Sequence, residues 1–263
     1  MSAFTSDQHQ DVKSLRRLIG RRSARSDDML CVVEGAKVLA EVLAGGHTVQ
    51  TVFVEGHSEL PEVTEAAGRG AVVRRLAPGL LSKLGDTVTP QPVLAIVESP
   101  LVTLESRSPW PEGLVVVGVD ISDPGNAGTM IRSAELSGAV GVVFTGTSVD
   151  VTSPKVVRSS AGALFHMPVV QTSDVGDTLR YLSNERCRLL GAAVRGNSQV
   201  YTATDLLTGF VGIVMGNEAH GLDSDVERLI DEWITIPMHG RTESLNVGMA
   251  TSVLCFEAAR QRG

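Results

Sequence analysis

The sequence predicts an α/β protein built on a mainly parallel sheet. Near-continuous apolar runs at 114–119 and 211–215 read as strands covered on both faces. Helical patterns separate such runs along the chain, as crossover connections require. A content of 43% hydrophobic and 20% charged residues over 263 residues supports a packed core and excludes disorder, in one large or two modest domains.

The elements follow in order. Residues 12–19 read as a helix, 29–33 as a buried strand, 35–43 as a helix and 49–54 as an alternating strand. A helix at 60–67 and short strands at 71–74 and 93–97 complete a small α/β unit. Pro100, Pro109 and Pro111 then interrupt a stretch without period. The chain therefore divides into a domain at 1–99, a linker at 100–112 and a second domain at 113–263. In the second domain a strand at 114–119 leads to a helix at 127–137 and a strand at 140–144. Pro154 suits the start of a helix at 154–161. Strands at 189–194 and 211–215, a short strand ending at Pro237 and a last helix at 246–260 follow. Ligands of such sheets bind beyond the carboxyl ends of the strands, so the loops there are candidate sites.

Three loops stand out. Asp120 to Arg132 follows a buried strand and opens a helix, with Asn126 as a candidate cap and Arg132 six residues on. The dinucleotide fingerprint of spaced glycines is missing from it. Val211 to Gly221 runs from a strand into a polar loop, where Gly216 would admit a ligand close to the backbone and Glu218 follows directly. His220 reads as a structural or surface histidine rather than a catalytic one. Ile234 to Ala250 passes Pro237 and a polar loop to Ser244, Leu245 and Asn246, where Ser244 or Asn246 could cap the last helix. Gly248 inside that helix costs about 1 kcal/mol against alanine, which points to close backbone packing.

Composition narrows the function classes. Aromatics are 4%, too few for a base-stacking sheet. Cys31, Cys187 and Cys255 lie far apart, read as small buried hydrophobes, and offer no metal spacing. No apolar run approaches the ~20 residues of a membrane span, and the N-terminus lacks a signal pattern, so a soluble cytoplasmic protein is expected. A serine hydrolase is excluded because no GxSxG elbow occurs.

Together NAGTMIRSAE, IVMGNEAHGL and IPMHGRTESLNVGMA resemble, in order and spacing, the three motifs of the SpoU/TrmH family of RNA ribose 2′-O-methyltransferases. VRSSAGALFHMPV extends the resemblance over most of 114–263, and VVEGAKVLAEVL is similar to the family's substrate-binding domain. The resemblance implies a deep trefoil knot of the SPOUT type, S-adenosylmethionine as cofactor, no metal, and a homodimer. It also implies a first domain like the kink-turn-binding ribosomal proteins. By resemblance Arg132 is the central catalytic residue, with Asn126, Glu218, Ser244 and Asn246 beside it. Gly216, Ile236, Leu245, Met238 and Thr145 would hold the cofactor. A guanidinium stays protonated, so orienting a phosphate and stabilising an alkoxide suit Arg132 better than general-base work. The expected substrate is 23S ribosomal RNA. Transfer RNA, or a non-catalytic RNA-binding factor on the same fold, are the alternatives.

The net charge of −7 argues at first against an RNA partner. However, residues 1–26 carry six basic side chains against two acidic ones. Arg16, Arg21, Arg22 and Arg25 therefore form a candidate RNA-binding arm, since local clusters rather than net charge make phosphate contacts.

Overall fold

The computed structural model describes residues 4–57, 59–85, 91–193, 198–203, 205, 207–217, 220–241 and 244–263. In chain order the first elements are α1 (Gln10–Gly20), α2 (Arg22–Asp28), β1 (Leu30–Glu34), α3 (Ala36–Ala44), β2 (Val49–Glu55), α4 (Pro61–Gly68), β3 (Val72–Leu76), β4 (Val93–Glu98) and β5 (Leu101–Val102). They are followed by β6 (Gly113–Val119), α5 (Pro124–Leu136), β7 (Gly141–Thr145), α6 (Pro154–Ser159), β8 (Val169–Gln171), α7 (Val175–Asn184) and β9 (Arg188–Ala192). The last are β10 (Gln199–Val200), β11 (Phe210–Met215), α8 (Ser224–Glu227), β12 (Glu232–Thr235) and α9 (Val247–Arg262). The chain forms two compact units, Met1–Pro100 with Thr152–His166, and Leu101–Val151 with Met167–Gly263.

In the first unit four strands lie in the order β1-β4-β2-β3, with β4 antiparallel to both neighbours and β2 parallel to β3. Val12, Leu15 and Leu18 recur at helical spacing on α1 and pack with Val32, Phe53, Leu94 and Ile96 of the sheet. Residues 22–28 form a helix that the sequence pattern does not announce. Arg25 lies on its buried face and donates to the carbonyls of Leu18 (2.6 Å) and Ile19 (3.2 Å). It satisfies acceptors at the carboxyl end of α1 that no turn of helix follows, so it is corrected from the RNA-binding arm to the core. The segment Thr152–His166 belongs to this unit. Its α6 packs on β1, with Arg158 paired to the buried Glu34 at 3.4 Å. His166 meets Glu41 at 2.8 Å, and the His47 ring meets the Phe165 carbonyl at 2.9 Å.

The second unit is an eight-stranded sheet in the order β10-β12-β9-β11-β6-β7-β8-β5, parallel at every pairing. β6 and β7 are buried at every residue, which is why they read as unbroken apolar runs. From β6 the chain steps through β7 to β8 on one side, while β11, β9 and β12 lie on the other. The crossover point thus falls between β6 and β11. The stretch read as a linker contributes β5, and buries Leu104 and Trp110 in the core of this unit. Trp110 stacks on Phe210 with ring centroids 6.0 Å apart.

Candidate functional site at the carboxyl edge of the parallel sheet

α5 starts immediately beyond β6. Its cap is Asp123, whose Oδ1 accepts from Asn126 N at 2.8 Å, with Pro124 in the first helical position. This corrects the reading of Asn126 as the cap: proline preset for the first turn moves the cap to the residue before it. Asn126 is thereby placed on the first turn, with its side chain available to another element.

That element is α9. Asn246 caps it, accepting from Met249 N at 3.2 Å, and its Nδ2 donates to Asn126 Oδ1 at 2.9 Å. The first and third loops thus meet through two of the expected site residues. The helices behind them are close-packed: a Cβ on Gly248 would stand 3.1 Å from the Thr129 side chain, and Ser133 and Ser252 share a hydrogen bond of 2.6 Å. The helix-interior glycine therefore has the packing reason the sequence suggested. Arg132 is exposed on α5, about 9 Å along the axis from Asn126 at 1.5 Å per residue. It makes no ion pair with another described residue. Ser244 is exposed just before the cap. Glu218 lies outside the described residues.

The second loop leaves β11, the neighbour of β6. Asn217 N donates to Gly221 O (3.1 Å) and Gly221 N to Asn217 O (2.9 Å), closing the loop on itself. A Cβ on Gly216 would stand 2.8 Å from Leu222 N. The glycine admits the protein's own returning chain, a close approach that leaves no room for a side chain. Asn217 Nδ2 donates to Asp120 O at 2.9 Å, tying this loop to the end of β6. Asp120 has a positive φ of 55°, and its Oδ1 accepts from both N (2.6 Å) and Oγ1 (2.8 Å) of Thr147, beyond β7. Sequence reasoning missed Asn217 and Asp120. A polar residue at the last position before a loop was the available signal.

Of the remaining cofactor candidates, Ile236 and Met238 are half-buried beyond β12, and Leu245 is 38% exposed. Thr145 is fully buried and its Oγ1 meets Thr178 Oγ1 at 3.3 Å. Its side chain is thus engaged within the chain, which leaves its main-chain groups as what it could offer a cofactor. Ile236, Met238 and Leu245 are themselves apolar, a character that suits an adenosine ring.

The fold is a domain of the parallel α/β class, in which ligands bind at the carboxyl edge where the strand order reverses. The chain belongs to the SpoU rRNA Methylase family, which it matches over residues 113–256. Residues 9–95 match an MRM3-like substrate binding domain. A 23S rRNA (uridine(2479)-2'-O)-methyltransferase of Streptomyces viridochromogenes is 33% identical, over 93% of this chain and 88% of that one. The 23S rRNA (guanosine(2553)-2'-O)-methyltransferase RlmP of Bacillus subtilis is 27% identical, over 97% of this chain and 98% of that one. Among solved structures, the SpoU methyltransferase AviRb from Streptomyces viridochromogenes, in complex with the cofactor AdoMet, superposes with a TM-score of 0.86. It is 30% identical and covers 97% of this chain and 98% of its own.

Proposed function

We propose that the protein transfers a methyl group from S-adenosylmethionine to a ribose 2′-hydroxyl of 23S ribosomal RNA. The carrying observation is the hydrogen bond between Asn246 and Asn126, which joins the loops after β12 and β6 at the sheet's carboxyl edge. Similarity to 23S rRNA enzymes across both units supports ribosomal RNA over transfer RNA.

When bound, the cofactor supplies an electrophilic methyl on a sulfonium. Ile236, Met238 and Leu245 would hold it, with the Gly216 loop beside them. Asn126 and Asn246, fixed by each other, orient the ribose. Arg132 holds the neighbouring phosphate and stabilises the negative charge that develops on the attacking oxygen. By resemblance, Glu218 and Ser244 complete the polar set.

Arg16, Arg21 and Arg22 are exposed on α1 and the start of α2 and suit RNA phosphates, although Arg16 also pairs with Asp7. On α9, Leu245 at its foot, then Met249, Val253 and Phe256, are exposed at steps of four, four and three residues. Such a stripe on one helical face supports a homodimer. The knotted chain path and a cytoplasmic location belong to the same reading. No described helix is long and apolar enough to cross a membrane, and no cluster of described residues could hold a metal.

The test is methyl transfer to 23S rRNA with mapping of the modified ribose. Arg132→Ala should abolish transfer and leave S-adenosylmethionine affinity unchanged. Full activity in that variant would overturn the assignment.

A further inference from the structure

The second loop leaves β11, yet Asn126 and Arg132, expected to act on the ribose and its phosphate, stand on α5, beyond β6. Something must fix the distance between these loops if cofactor and ribose are to meet in line, because a misplacement of 1 Å can cost two orders of magnitude in rate. Two side chains supply the link. Asn217 Nδ2 donates to Asp120 O at 2.9 Å, and Asn217 Oδ1 accepts from His220 N at 3.3 Å. The same amide thus braces its own loop and grips the end of β6. One residue back along the path, Asp120 carries the connection to β7, since its Oδ1 takes both donors of Thr147. Farther along, Ile121 N donates to Ser148 Oγ at 3.1 Å and Val149 N to Ile121 O at 2.8 Å. The carboxyl ends of three adjacent strands, β11, β6 and β7, are therefore stitched together.

We propose that Asn217 is a positioning residue: with Asp120 it sets the spacing between the cofactor-side loop after β11 and the ribose-side helix α5. The inference rests on the methyltransferase reading above. Asn217 touches neither reactant in this account. It acts by holding Gly216 on one side and the start of the Asp120–Asp123 turn on the other. The left-handed backbone of Asp120 (φ 55°) presents its carbonyl to Asn217 while its carboxylate faces Thr147.

The test substitutes Asn217→Asp, which keeps the acceptor for His220 N and removes the donor to Asp120 O. S-adenosylmethionine binding is read by titration calorimetry, RNA binding by filter retention, kcat and KM by methyl transfer, and folding by thermal melt. Cofactor affinity should fall about tenfold, the equivalent of losing one net hydrogen bond and leaving its acceptor unpaired. The kcat should fall as well, with RNA affinity unchanged and the midpoint of the melt lower by only about 2–4 °C, so that the protein stays folded in the assay. Thr147→Val removes only the hydroxyl donor to Asp120 and should lower kcat about threefold, with a native melt. If wild-type protein fails to bind the cofactor, the methyltransferase reading falls. If wild type binds it and Asn217→Asp matches wild type in affinity and kcat, the positioning role falls. Should Asn217→Asp melt early, Thr147→Val decides: wild-type kcat there overturns the proposal, and a reduced kcat at native stability supports it.

Discussion

Asn246 makes two separable bonds, and substitution can take them apart. Asn246→Ala loses the cap to Met249 N and the bond to Asn126 Oδ1. A lost cap costs about 1 kcal/mol, and an exposed side-chain bond about 0.5–1 kcal/mol. Together these lower the unfolding midpoint by about 3–8 °C, at roughly 2–4 °C per kcal/mol for a chain of this size. Asn246→Asp keeps the cap acceptor at the positive end of α9, where a carboxylate is favoured, but cannot donate to Asn126. Its stability should stay within about 0.5 kcal/mol of wild type, while methyl transfer collapses. Trp110 and Trp233 both lie in the second unit, so urea unfolding followed by tryptophan fluorescence reports the right part of the molecule. A double-mutant cycle with Asn126→Ala should give a coupling of about 0.5–1 kcal/mol. A null coupling, or an Asn246→Asp variant as unstable as Asn246→Ala or as active as wild type, would refute the reasoning.

Arg25→Ala should destabilise the first unit by about 1.5–3 kcal/mol, because it strips a charged donor from two helix-end carbonyls; circular dichroism during urea unfolding checks it. Exposed Arg21 and Arg22 behave differently: changing both to Glu should weaken RNA binding without touching the melt, and flatten the logarithmic salt dependence by about two units. Burial pushes the Cys187 and Cys255 thiols up to about 12, so native protein should resist aromatic disulfide reagents at pH 8 and react only on unfolding. Because the unfolded thiols ionise near ~8.5, the folded state binds more protons above that pH. Stability contributed by these thiols is therefore lost as pH rises from there toward about 12, a decline that melts at stepped pH would show. Met249→Asp with Phe256→Asp should convert a dimer to a monomer in sedimentation, and an unchanged mass would remove α9 from the interface.

The parallel sheet was legible because β6 and β11 are covered on both faces, which leaves unbroken apolar runs in the sequence. α2 was not legible: RSARSDD shows no apolar period, and its hold on the core comes from Ala24 and the stem and head of Arg25. α7 and β8 were also missed, although Asp174 capping Asp177 N was a readable start signal. At the site, residue types were legible and their partners were not. Asn126 and Asn246 stand 120 residues apart in sequence, and only the fold reveals that they bond each other. Thr145 and Gly216 likewise make contacts within the chain that the sequence did not show, a hydroxyl pair with Thr178 and a close approach of the returning loop at Leu222.

The docking of Thr152–His166 on the first unit bears on how such a protein can be cut or recombined. A genetic break near residue 100 looks like a clean seam between two modules. It would release a fragment whose β1 has lost α6, whose Glu34 has lost Arg158 and whose Glu41 has lost His166. The polypeptide passes between the units at residues 100, 151 and 166, not once. Swapping the first 100 residues for those of a relative would therefore transplant only part of a folded body. A working chimera has to carry the matching fifteen-residue segment along with them.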